Sequence, residues 1–255
     1  MGNSSEIHER LIERTMLAYP SNAPIVQGST PVVSFGDCTN AKVATLGINP
    51  SYEEFQDSDG QLLKTEYKRL IDHESLGGNF QSGLTESQAE RVVTGCSAYF
   101  INRPFQWFDE IEEVVLKPNG FNYRSGEACH LDVIQWATNP IWSKIPNQKE
   151  CLAMLESDSE FLRFQITSQK YEFIFLNGNT VVKQVKSLNL VNLRQSGFTP
   201  IGHGIRKSRL WVGELGDTKF IGWNLNIQRH ETTPGNKEAL SNWIKQEVNN
   251  KKGRI

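Results

Sequence analysis

Residues 42–51 read KVATLGINPS, and this stretch decides how the rest of the chain is interpreted. Residues 42–48 are short and mostly apolar, which is typical of a buried strand. An Asn-Pro pair follows directly, and such a pair ends a strand in a turn. Gly47 lets the backbone turn sharply and Pro50 stiffens the loop. We therefore expect Asn49 to be held rigidly at the end of this strand.

Strands and helices alternate along the remaining sequence. Further strands are predicted at 130–134, 171–178, 208–215 and 219–225, the last two forming a hairpin. Helices are predicted at 5–18, 61–72, 85–100, from Pro104 onward, and at 147–157, 158–168, 179–188 and 236–248. This alternation over 255 residues predicts an α/β protein, arranged as a three-layer α/β/α sandwich with a mainly parallel sheet.

The composition excludes several classes of protein. The first residues lack the apolar core of a signal peptide, and no apolar run approaches the roughly 18 residues that span a bilayer. The cysteines are Cys38, Cys96, Cys129 and Cys151, and none forms a CxxC pair. Zinc ribbons and iron–sulfur clusters therefore have no sequence support. We expect a cytoplasmic protein with free thiols, no metal and no cofactor.

The charge is divided unevenly along the chain. The formal net charge is −2, but residues 1–178 carry −10 and residues 179–255 carry +8. A basic third on an acidic body indicates that one face meets a polyanion such as nucleic acid. The alternative explanation is that the Lys-rich C-terminus is simply a solvated tail.

Polar residues follow the predicted strands. Ligands of parallel α/β sheets bind at the carboxyl ends of the strands. There the sequence places Asn49, Asp132, Asn177 and the polar segment 224–230. The sequence has no GxSxG, P-loop or GxGxxG motif, so serine hydrolases, NTPases and dinucleotide enzymes are not supported.

The motif LGINPS resembles the first signature of the uracil-DNA glycosylase superfamily, nearest to its mismatch-specific branch. Supporting segments occur in the family's order: NRPFQWFDEI at 102–111, HLDVI at 130–134, FIFLNGNTVVKQV at 173–185, and NIQRH at 226–230. The resemblance implies a four-stranded parallel sheet between helices. It also implies a single domain over 1–255, with an N-terminal helical extension at 1–29 and a helical insertion at 56–101.

Hydrolysis of the N-glycosidic bond of a base flipped out of DNA is the chemistry that the resemblance implies. Asn49 would position the attacking water. Asn226, or alternatively Asn224, would donate a hydrogen bond to the base or its phosphate. The family has Pro-Ser after this position and the chain does not, so the choice stays open. An aromatic ring should stack on the base: Phe55 is the first candidate and Tyr52 the alternative.

The resemblance assigns the remaining site residues to two groups. The base pocket would include Gly47, Ile48, Pro50, Asp132 and Asn177. Contacts to double-stranded DNA would come from Ser51, Arg206, Lys207, and from Ile227, Gln228, Arg229 and His230, which would fill the gap left by the flipped nucleotide.

Asp132 stands where relatives read uracil with Asn. An ionised carboxylate only accepts hydrogen bonds, so it opposes the C4 carbonyl of uracil and suits the N4 amine of cytosine. Because a cell must spare its own cytosine, we expect a modified cytosine, hydroxymethylated or glucosylated, as in phage DNA. Two alternatives stay open: a uracil or mismatched-thymine glycosylase of DNA repair, and an inactive protein that binds modified bases.

Overall fold

A computed structural model describes residues 4–18, 23–78, 83–199, 208–228 and 232–253. The chain divides into two compact units, each built from separate segments. The first unit comprises Met1–Thr39, Ile48–Phe105 and Leu131–Gln169. The second comprises Asn40–Gly47, Gln106–His130 and Lys170–Ile255.

A mixed sheet of six strands confirms the predicted α/β class. The strands are β1 (Val43–Gly47), β2 (Ala128–Asp132), β3 (Phe173–Asn177), β4 (Arg194–Thr199), β5 (Ser208–Leu215) and β6 (Thr218–Trp223). Their order is β2-β1-β3-β6-β5-β4. β3 runs parallel to both β1 and β6, whereas β5 runs antiparallel to both β6 and β4. The described sheet therefore has two more strands than the four expected, and β5 and β4 make it mixed.

Strand β4 was not predicted, although the hairpin of β5 and β6 was. The sequence of β4, RQSGFT, has neither an apolar run nor a regular alternation. It becomes a strand because its backbone pairs with β5, with a register shift between Gln195 and Gly197. Such pairing at a sheet edge needs little from the side chains, so the sequence pattern does not show it.

The described helices are α1 (Ser4–Met16), α2 (Glu86–Ser97), α3 (Trp107–Ile111), α4 (Gln148–Ser168), α5 (Asn179–Ser187) and α6 (Pro234–Lys252). Helix α2 begins with the predicted capping box, in which Thr85 and Gln88 each bond the other's backbone. The two helices predicted over 147–168 are one continuous helix. Helix α3 starts three residues after Pro104 and continues as a π-helical turn, Glu112–Leu116.

The helix predicted at 61–72 is wrong. The segment holds only a short 3-10 helix, Thr65–Tyr67. Its polar groups are used in turns instead: Lys68 pairs with both Asp72 and Glu74, at 2.8 and 3.0 Å. Of the insertion predicted at 56–101, α2 is the one α-helix among its described residues.

In the first unit, α4 supports the chain that leaves β2. The buried Arg14 of α1 pairs with Asp158 of α4 at 2.8 Å. The other carboxylate oxygen of Asp158 accepts the backbone N–H of Gln135, also at 2.8 Å. A buried ion pair with a further hydrogen bond holds its partners in one arrangement. It therefore fixes the loop that follows Asp132.

In the second unit, the strands β1, β3 and β6 are buried along their whole length. Helix α5 packs on β3 and β6, and the approach is close at Gly222. A Cβ added there would lie 3.1 Å from the Cβ of Leu176 and 3.1 Å from a methyl group of Val182. No described helix is both long and apolar enough to cross a membrane.

Candidate functional site

The loop after β1 holds Asn49 by its amide nitrogen. Nδ2 of Asn49 lies 2.9 Å from the carbonyl oxygen of Pro50, 3.3 Å from that of Trp136 and 3.0 Å from the hydroxyl of Thr138. Carbonyl oxygens only accept hydrogen bonds, so the nitrogen of the amide must face them. The side chain is therefore oriented by three contacts, all within the first unit.

The oxygen of the Asn49 amide is available to accept a hydrogen bond. In the described part of the chain, Oδ1 of Asn49 has no hydrogen-bond partner, and the residue is half-buried. An amide oxygen fixed in direction can hold a water molecule by one of its protons. The predicted rigidity of Asn49 thus has a physical origin in the Trp136–Thr138 segment, which follows β2.

A short 3-10 helix, Tyr52–Glu54, follows this loop. Ser51 caps it by accepting the N–H of Glu53 at 3.2 Å. Tyr52 is half-buried, whereas Phe55 is only 2% exposed. A ring that stacks on a flipped base must present one face to the pocket. Of the two aromatic candidates, Tyr52 is the one with an accessible ring in this structure.

Asp132 ends strand β2 and is 5% exposed. Its backbone oxygen accepts Nε2 of Gln135 at 3.0 Å, which ties the strand end to the loop braced by Asp158. On the other side, the N–H of Ile134 donates to the carbonyl oxygen of Ile48 at 3.0 Å. The first unit therefore brings the chain around Asp132 beside the chain that precedes Asn49.

Glu54 is a buried carboxyl that the sequence did not reveal. Both of its oxygens accept the hydroxyl of Tyr99, at 2.9 and 2.8 Å. Burial raises the pKa of Glu54 to about 8, and the charge of Asp132 adds to the increase. No local motif marks this residue, because its partner lies 45 positions along the chain.

In the second unit, Asn177 connects β3 with the loop after β6. Oδ1 of Asn177 accepts Nε1 of the buried Trp223 at 3.0 Å, and its Nδ2 donates to Oε1 of Gln228 at 2.6 Å. Asn177 is itself buried. Both ends of its amide are thus used, and it acts as a brace for residues 224–228.

Asn224 and Asn226, the two candidate hydrogen-bond donors of this loop, are held by different contacts. Oδ1 of Asn224 accepts Nε1 of Trp211 at 2.8 Å. Oδ1 of Asn226 accepts the N–H of Gln228 at 3.0 Å, and its Cβ lies near Gly178 at the start of α5. Neither amide nitrogen has a partner among the described residues. Asn226 is fixed within its own loop and lies beside the end of β3. This position favours Asn226 over Asn224 as the donor to the base or its phosphate.

The structure describes only some of the residues expected to contact DNA and to fill the gap left by a flipped nucleotide. Ile227 is 0% exposed and belongs to the interior of the second unit, whereas Gln228 is half-buried. Ile227 therefore does not present its side chain to a duplex in this conformation. The structure does not describe the remaining expected contacts, which are Arg206, Lys207, Arg229 and His230.

Two cations of the second unit, Lys186 and Arg209, lie near each other. Nζ of Lys186 lies 3.2 Å from the centre of the Trp211 ring. Burial and the nearby charge of Arg209 lower the pKa of Lys186. Neither cation pairs with a carboxylate in the described part of the chain. The basic run Arg206, Lys207 and Arg209 in the sequence pointed to Arg209 as a phosphate contact, whereas no local pattern selected Lys186.

His130 is placed in the interior of the second unit. Its Nδ1 lies 2.7 Å from the hydroxyl of Thr45, which also lies 2.6 Å from the hydroxyl of Tyr123. The rings of Trp107 and Phe108 meet it edge-on at 5.5 and 5.1 Å. His130 is therefore a satisfied core residue.

Comparison with known proteins gives no match: no family model and no curated protein matches the sequence. Within the described ranges, no group of three or more His, Cys, Asp or Glu residues is arranged to hold a metal ion. The site is therefore interpreted from its own geometry. Asn49, Tyr52, Glu54 and Asp132 belong to the first unit, and Asn177, Lys186, Arg209 and Asn226 belong to the second.

Proposed function

We propose that the protein is a monofunctional DNA glycosylase. It hydrolyses the N-glycosidic bond of a base flipped out of DNA and leaves an abasic site. The observation that carries the proposal is the amide of Asn49: its nitrogen makes three contacts, and its oxygen has no hydrogen-bond partner among the residues that the structure describes. The proposal includes the superfamily fold, with β2, β1, β3 and β6 as its four parallel strands and β5 and β4 as additions.

Asn49 would act on the water that attacks the sugar. As the bond to the base breaks, the sugar becomes positively charged, and a polar oxygen held close by stabilises that charge. The amide oxygen also directs the lone pair of the water by accepting one of its protons. An amide does not take that proton fully, so the reaction depends on a leaving base that fits well.

Asp132 would select the base. It lies at the end of β2, nearly buried, in the same unit as Asn49. As a carboxylate it accepts the N4 amine of a cytosine-type base and repels the C4 carbonyl of uracil. Because unmodified cytosine must be spared, the preferred substrate is a hydroxymethylated or glucosylated cytosine, as found in phage DNA. The biological setting is then antiviral defence in the cytoplasm.

The second unit would bind the DNA backbone. Lys186 and Arg209 lie close enough to interact unfavourably, and no described carboxylate neutralises them. A phosphate between two such cations removes the repulsion and releases counterions. Asn226, whose amide nitrogen has no partner among the described residues, would donate in the same unit. Lys186 and Arg209 are two of the 13 basic residues that give residues 179–255 their net charge of +8.

Base release from defined duplexes tests the proposal. Duplexes containing uracil, a G·T mismatch, cytosine, hydroxymethylcytosine or glucosylated hydroxymethylcytosine are incubated with the protein, and abasic sites are revealed by alkaline cleavage. We expect release from a modified cytosine. Release of uracil or thymine alone would favour the repair enzyme, and binding without release from any duplex would favour a modified-base reader.

Two variants test the assigned roles. Asn49→Ala is expected to lower the rate of release about 10²- to 10³-fold, while salt-sensitive binding to an abasic duplex persists. Asn250→Ala, which removes an exposed amide on α6, serves as the matched control. Asp132→Asn is expected to shift preference toward uracil. Full activity of Asn49→Ala would overturn the mechanism.

A further inference from the structure

Glu54 is a buried carboxyl of the first unit. It is 2% exposed and lies in the 3-10 helix that begins three residues after Asn49. Its neighbours come from several parts of the unit: the hydroxyl of Tyr99 bonds it directly, and the charges of Arg69, Asp132 and Glu53 act on it.

The hydroxyl of Tyr99 is fixed in its own direction. It accepts the backbone N–H of Phe105 at 2.9 Å, so its single proton is directed to Glu54. The Tyr99 ring is fully buried and meets Phe35 edge-on at 4.7 Å. Burial and the neighbouring Glu54 raise the pKa of Tyr99, so it remains a donor at physiological pH. Tyr99 is therefore a rigid anchor for the carboxyl.

The Glu54–Tyr99 contact holds the segment that follows Asn49, the residue assigned to the proposed chemistry. Tyr52 and Ser51 lie in or beside the same 3-10 helix, and Asn49 and Pro50 precede it. Arg69 adds a second tie, since its guanidinium donates to the carbonyl oxygen of Glu53 at 2.6 Å. Loss of the Glu54–Tyr99 contact would weaken the hold on this helix, which directly follows the loop of Asn49.

We propose that Glu54 is a positioning residue: its carboxyl, held by the Tyr99 hydroxyl, fixes the turn that follows Asn49. This inference rests on the proposed glycosylase function.

The electrostatics of the site support this arrangement. The pKa of Glu54 is raised to about 8, mainly by burial, and also by the charges of Asp132 and Glu53. The hydrogen bond from Tyr99 and the charge of Arg69 lower the pKa of Glu54, but the effect of burial is larger. Glu54 is therefore neutral at pH 7. Above pH 8 the carboxyl of Glu54 becomes a buried negative charge, which disfavours the buried position of Glu54 in the turn.

The test is the pH profile of single-turnover base release, measured from pH 6 to 9.5 on the duplex that the wild type processes best. We expect the wild-type rate to fall about tenfold per pH unit above pH 8. Glu54→Gln should stay within about threefold of wild type at pH 7 and keep its rate at high pH. Its amide does not ionise, and it can both accept from and donate to the Tyr99 hydroxyl.

Two further variants complete the design. Glu54→Ala should lower the rate at least about tenfold at every pH, because the turn loses its anchor. Glu53→Gln, which neutralises the exposed neighbour, should keep the fall in rate and move it only slightly toward lower pH, because the charge of Glu53 is the smallest of the causes that raise the pKa of Glu54. Coinciding profiles of wild type and Glu54→Gln, or full activity of Glu54→Ala, would overturn the proposal.

The protonation of Glu54 can be followed without catalysis. The ¹³C carboxyl resonance that disappears in Glu54→Gln should titrate near pH 8 in the intact protein. Titration of that resonance between pH 4 and 5 would overturn the inference even if base release is found. If no duplex releases a base but the resonance titrates near pH 8, the glycosylase proposal fails while the neutral, anchored Glu54 stands.

Discussion

Replacing Glu54 by glutamine is expected to change how the stability of the protein depends on pH. The ordinary pKa of a glutamate is 4.5, and the buried carboxyl of Glu54 has a pKa of about 8. The folded protein therefore keeps a proton that the unfolded chain releases. The contribution of this proton to stability is fully present below pH 4.5 and is lost as the pH rises through 8.

The magnitude follows from the displacement of the pKa. Between pH 5 and 8, one proton is bound in the folded state and absent in the unfolded state. This lowers the free energy of unfolding by about 1.4 kcal/mol for each pH unit. Between pH 4.5 and pH 8 the free energy of unfolding therefore falls by a total on the order of 5 kcal/mol. This fall is absent in Glu54→Gln.

The assay is urea unfolding followed by circular dichroism at pH 5, 6, 7 and 8. The quantity of interest is the difference in unfolding free energy between wild type and Glu54→Gln, because other titrating groups cancel in it. Relative to wild type, the variant should gain stability steadily toward pH 8. Glu53→Gln removes an exposed carboxyl of the same turn and should show no such trend. A constant difference between wild type and Glu54→Gln would refute the reasoning.

Three other perturbations test the packing and the charged surface. Asp158→Ala leaves Arg14 buried without its ion-pair partner and should lower the unfolding free energy by about 3–5 kcal/mol in urea titrations; a loss below 1 kcal/mol would contradict this. Gly222→Ala brings a methyl group 3.1 Å from Leu176, so overpacking should cost about 1–3 kcal/mol, seen as a lower Tm. Lys186→Ala should reduce the salt slope of DNA binding by about 1 in fluorescence anisotropy, and an unchanged slope would argue against a phosphate contact.

Much of the fold was predictable from local patterns. The apolar runs of β1 and β3 identify buried strands, and the Thr85 capping box marks the start of α2 because its partners are three residues apart. The pattern fails where tertiary pairing decides the structure. Strand β4 exists through its backbone bonds to β5, and residues 61–72 use their polar groups in turns rather than in a helix.

The candidate site shows the same division. The position of Asn49 at a strand end was predictable, because a strand followed by Asn-Pro is a local signal. Its orientation was not, since two of the three acceptors that hold its nitrogen, Trp136 and Thr138, lie almost 90 residues away. The accessibility of Tyr52 relative to Phe55 likewise depends on what packs over each ring.

The amino-acid order by itself determined the α/β class and the approximate positions of β1, β2, β3, β5 and β6, because each follows from the pattern of neighbouring residues. Only the tertiary structure decided that Glu54 is buried against Tyr99, and this burial raises its pKa, with the charge of Asp132 contributing. The physical reason is that desolvation and charge coupling depend on every group brought within a few ångströms of a carboxyl, wherever it lies in the chain.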